Sequence, residues 1–110
     1  ADLYIDQGKF WQQFAADVPQ AEARGMAATQ RPVAETALGE PSGMAAWKKL
    51  PSYFVYGTAD LNIPAAALGF MAERARSRKT VVVEGASHVV MTSHPHAVAA
   101  LIEEAANANP

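Results

Sequence analysis

Two short apolar runs, Tyr53-Phe54-Val55-Tyr56 and Thr80-Val81-Val82-Val83, flank a stretch with Leu68, Met71, Ala72 and Ala75 at helical spacing. That order constrains the fold more than any other feature of the chain. Strand, helix, strand reads as a β-α-β unit, whose two strands run parallel and are joined by a right-handed crossover. The first run is bounded by Pro51 and Gly57 and is apolar at both side-chain parities, so it reads as a strand buried on both faces. The helix is expected from about Ala65 to Arg76, with Arg74, Arg76 and Arg78 near its end, where cations suit the helix dipole. Ser93 is the expected N-cap of a final helix, with Pro95 in its first turn and Val98, Leu101 and Ile102 on its inner face. The fold class is therefore α/β.

Residues 1–47 have a different texture. Phe10, Trp11 and Phe14 form an apolar stripe on one short helix, which Asp6 is placed to cap. Asp17-Val18-Pro19 breaks it, and Pro19 suits the first turn of a second helix through Ala21, Met26 and Ala27. Arg31-Pro32 marks another restart, and Gly39 to Gly43 reads as a loop. The expectation is several short helices, almost no strand, and a need for something to lie on. Two strands also fall short of a viable parallel sheet. The chain therefore reads as a part. Its expected complement is the N-terminal part of the same protein or a second copy.

Composition narrows the function classes. With 50% hydrophobic and 18% charged residues the chain is globular in composition, not disordered. A net charge of −2 without any basic block gives no footprint for nucleic acid or an anionic membrane. No apolar run approaches the roughly 20 residues that span a bilayer. The absence of cysteine rules out a thiolate nucleophile and a disulfide framework, and it fits a reducing, cytoplasmic setting.

In parallel α/β sheets, functional groups gather in the loops past the carboxyl ends of the strands. Two such loops occur here, Gly57-Thr58-Ala59-Asp60 and Gly85-Ala86-Ser87-His88. A carboxylate and an imidazole on adjacent strand ends can hydrogen-bond. The carboxylate then sets the tautomer and stabilises the imidazolium formed when the ring takes a proton. Taken singly, Asp60 reads equally as a helix cap and His88 as a loop histidine. Their matched placement, acid then base, favours a catalytic pair. His94 and His96 flank Pro95, but no Asp, Glu or Cys stands near them at ligand spacing, so a surface or packing role is favoured over a metal site. Ser87 reads as a turn former.

The segments Pro51 to Pro64 and Glu84-Gly-Ala-Ser-His88, followed by Ser93-His-Pro95, resemble the last third of α/β-hydrolase-fold enzymes. The most similar subgroup is the small esterase-like hydrolases, related to plant esterases and hydroxynitrile lyases. The resemblance implies that Asp60 is the triad acid and His88 the base. It makes residues 1–47 the end of a helical cap and 48–110 the C-terminal β-α-β-α part of the core. It also implies a small ester as substrate and no cofactor or metal. Phe10, Trp11, Phe14, Leu61 and Val89 are the candidate pocket residues, although for the Phe10, Trp11 and Phe14 stripe core packing is favoured over a pocket lining.

One family feature is missing from these residues. A hydrolase of this kind carries its nucleophile in a G-x-S-x-G elbow, and Ser42, Ser52, Ser77, Ser87 and Ser93 all lack that context. The chain alone is expected to be inactive. The alternatives are a cyanohydrin lyase using the same triad, or a non-catalytic binding protein of hydrolase shape.

Overall fold

The computed structural model describes residues 1–109. In chain order it contains β1 (Asp2–Leu3), α1 (Gln7–Phe14), α2 (Gln20–Thr29), β2 (Val33–Ala34) and α3 (Glu35–Gly39). A 3-10 turn (Ala46–Lys48) leads into β3 (Tyr53–Gly57), α4 (Ala65–Arg74), β4 (Lys79–Val83), α5 (Val90–Ser93) and α6 (Pro95–Asn107). Among the described residues no helix is long and apolar enough to cross a membrane.

β3 and β4 pair in parallel, in register from Tyr53 opposite Lys79 to Gly57 opposite Val83. The crossover is α4, which packs on β3, as do α5 and α6. This is the β-α-β order read from the sequence, and the fold is a partial α/β one. The strands are less covered than their composition predicts. Tyr53 through Tyr56 are all half-buried and Val82 is 50% exposed. Helices α4 and α6 shield part of the pair, and no third strand among the described residues lies beside it.

Three helix details differ from the sequence reading. α4 ends at Arg74, and Arg76 takes a left-handed conformation at φ 51°, so the last arginines follow the helix instead of closing it. The N-cap position of α6 falls on His94, because Ser93 closes the short α5. Leu101 is buried on α6 but Ile102 is 63% exposed, one residue round the helix from the face that meets β3.

The N-terminal helices find their floor on each other and on the loop after β4. Asp6 caps α1 by accepting the Gly8 amide at 2.8 Å. Phe10 is buried with Ala15, Val18, Ala23, Ala27 and Val89, and Ile5, Trp11, Phe14 and Met26 pack around them. Phe10 and Phe14, four residues apart, meet with ring centroids 5.0 Å apart. The Trp11 indole donates to the Val18 carbonyl at 2.9 Å, which closes the turn between the helices. The expectation of almost no strand needs one amendment, since β1 and β2 form a two-residue antiparallel ladder. Gln30 reinforces it by accepting the Ile5 amide and donating to the Ile5 carbonyl.

Candidate active site

Asp60 and His88 come together because the two loops that carry them are laced along their backbones. Past β3, the Thr58 amide donates to the Val83 carbonyl and the Ala59 amide to the Ala86 carbonyl, at 3.1 and 3.0 Å. In return the Gly85 amide donates to the Thr58 hydroxyl at 2.7 Å. Gly57 permits this approach, since a Cβ there would stand 2.1 Å from the Ala86 oxygen. Gly85 turns the second loop at φ 76°, where a side chain is strained.

The Asp60 carboxylate lies at the meeting point and is 6% exposed. Its Oδ1 accepts the amides of Asn62 and Ile63, at 2.8 and 2.9 Å. Its Oδ2 lies 2.7 Å from His88 Nδ1. Three donors thus hold the side chain in one orientation, and α4 begins only at Ala65. Because an ionised carboxylate can only accept, Nδ1 is assigned the proton in a neutral ring, and Nε2 keeps its lone pair. The His88 side chain is 28% exposed, so it is wedged in place but reachable. Phe14 of α1 lies against its ring, with centroids 4.7 Å apart and planes inclined at 31°.

The other residues named from the sequence lie as follows. Phe10 and Val89 are buried in the helical core, and Trp11 is half-buried with its indole turned to Val18. Of the aromatic stripe, Phe14 packs its ring against His88. Leu61 is exposed and borders a groove with Lys9, Gln12 and Gln13. Ser87 is buried, and its hydroxyl accepts the Val89 amide at 3.3 Å. His96 is exposed, and His94 pairs with the Ser93 hydroxyl. Among the described residues no three His, Asp or Glu side chains gather around a common point.

Asp17 is the residue of this site that sequence reasoning missed. It reads as punctuation between two helices, yet its Oδ2 accepts the Ser87 amide at 3.2 Å, seventy positions away. No local pattern announces a contact of that range.

The profile of the alpha/beta hydrolase family matches residues 2–101 of the chain. The chain belongs to that family, and its function is of the hydrolase type. No curated protein matches it.

Proposed function

We propose that this chain is the C-terminal part of an esterase-like serine hydrolase, and that it supplies the triad acid, Asp60, and base, His88. The observation that carries the reading is the 2.7 Å contact between Asp60 Oδ2 and His88 Nδ1, made by a buried carboxylate with two further backbone donors. That arrangement commits one ring nitrogen to orientation and leaves the other for proton transfer.

The reaction is two-step acyl transfer to water. A serine borne by another segment attacks the acyl carbon of a small ester while His88 Nε2 takes its proton. The resulting imidazolium, stabilised by Asp60, returns the proton to the departing alkoxide, and the alcohol leaves an acyl-serine. Water then attacks the acyl carbon, giving its proton to Nε2, and the serine leaves with that proton restored. This chemistry needs no metal or cofactor from the chain. Residues 1–47 act as the end of a helical cap over the site, and 48–110 as the last part of the core. The half-covered β3 and β4, with exposed Phe70, Val82 and Ile102, support a complement that extends the sheet. We assign that complement to the N-terminal part of the same hydrolase, with a second copy of the chain as the other source.

Hydrolysis of p-nitrophenyl acetate tests the division of labour. The 110-residue chain alone is expected to act barely faster than free imidazole. Joined to the segment bearing the nucleophile, turnover is expected to rise by orders of magnitude, because nucleophile, oxyanion donors and base act as a unit. Strong activity in the lone chain would contradict the assignment, and a joined protein that binds but never turns over would mark a binding protein.

A further inference from the structure

We propose that Asp17 is a positioning residue that ties the helical segment to the His88 loop, a role that rests on the reading of His88 as the base. Asp17 lies just past the end of α1 and reaches across to Ser87, the residue before His88, whose amide donates to its Oδ2 at 3.2 Å. The same Oδ2 stands 3.6 Å from His94 Nδ1, and that ring nitrogen meets the Ser93 hydroxyl at 3.0 Å. On the other side of His88, Val89 is sunk into the core formed by α1 and α2. The imidazole itself lies against Phe14. The base is therefore bracketed: residues 87 and 89 are both attached to the N-terminal helices, one by a charged acceptor and one by apolar burial.

An aspartate that merely turns the chain accepts hydrogen bonds from amides two or three residues on. Asp17 instead spends its carboxylate on a segment remote in sequence. Its side chain is only 21% exposed and its Oδ1 is buried without a hydrogen bond, an arrangement that costs free energy unless something offsets it. Burial alone raises its pKa, but the nearby hydroxyls of Ser87 and Ser93 and the Ser87 amide outweigh burial and hold it below the ordinary carboxylate value. A carboxyl lowered in this way stabilises the fold above its unfolded pKa and loses that contribution only as pH falls through the folded value. The tether is thus anionic wherever an imidazole acts as a base. The consequence is that the helical segment and the base move as one body. A shift of α1 would be felt at the Nδ1–Oδ2 contact.

The test uses the hydrolase that contains this chain, with two readouts. In Asp17→Ala, kcat for p-nitrophenyl acetate is expected to fall about tenfold while KM changes by less than about twofold, since the lost hydrogen bond orients the base and not the substrate. The low-field proton resonance of His88 Nδ1–H, read without substrate, is expected to weaken or shift. Asp17→Asn recovers most of kcat, because its amide oxygen still accepts the Ser87 amide. His94→Ala keeps kcat within about twofold, as a contact of 3.6 Å is not a hydrogen bond. Unchanged kcat and resonance in Asp17→Ala would overturn the proposal. So would a loss that Asp17→Asn fails to recover, or one matched by loss of folded protein in a thermal melt. If the wild type shows the resonance and hydrolyses no ester, the hydrolase reading fails, and the response of the resonance to Asp17→Ala still decides the tether.

Discussion

Asp60→Asn in the complete hydrolase is expected to lower kcat by about 10⁴-fold with the fold intact. The asparagine oxygen can still accept the amides of Asn62 and Ile63, so the loop keeps its two short-range bonds. What changes is the group facing His88 Nδ1. An amide NH₂ donates where the carboxylate accepted, which forces the ring into the tautomer with its proton on Nε2. That nitrogen then cannot take the serine proton, and the imidazolium loses its counter-charge. His88→Ala removes the base itself and is expected to cost at least as much. Measured kcat, set beside unchanged circular dichroism and melting temperature, checks both. Loss of activity through unfolding would point to a structural carboxylate, and retained activity in either variant would remove the pair from the mechanism.

Gly57→Ala is expected to lower both stability and rate, by a smaller factor in rate than Asp60→Asn, without touching a titratable group. A Cβ at this position would stand 2.1 Å from the Ala86 oxygen and 2.5 Å from its carbonyl carbon, and both atoms belong to backbone, not to a flexible side chain. One loop must retreat. The Ala59 to Ala86 hydrogen bond is then broken or stretched, and Asp60 moves away from His88. Overpacking of this kind costs about 1–3 kcal/mol of stability. A misplacement of about 1 Å at the reacting groups costs on the order of 10²-fold in rate. A melt and a rate measured on the same sample separate the two effects. Native stability together with native rate would show that the loops have slack which the geometry denies.

The pairing of Asp60 with His88 is legible because two kinds of regularity coincide. Each strand is a run of apolar, β-rich residues closed by glycine or a loop, and each is followed within a few residues by a titratable group. A parallel pair places both loops at the same end, so Asp60 and His88 are neighbours by topology alone. Helix interiors were legible from their period, and Asp6 from its capping position. The two-residue strands β1 and β2 were not, since a strand of that length has no alternation to read. The sequence places Ser93 as the α6 cap, because nothing in it reveals that a four-residue helix intervenes and ends on Ser93. Apolar residues are assigned to a core by type, and the side they face is decided by what packs there. Hence Phe10 is buried, Ile102 is exposed and Phe14 meets the imidazole. Asp17 was hidden for the opposite reason, because its partner is fixed by the packing of two helices against a distant loop.

The central claim is that His88 serves a serine that lies outside these residues. Labelling with a fluorophosphonate, which reacts only with a serine activated by its base, tests it most directly. When the segment carrying the elbow serine is combined with this chain, the label is expected on that serine. It should be lost with His88→Ala and strongly slowed with Asp60→Asn. Labelling that proceeds equally well with His88→Ala, or that lands on one of the five serines of this chain, would contradict the account.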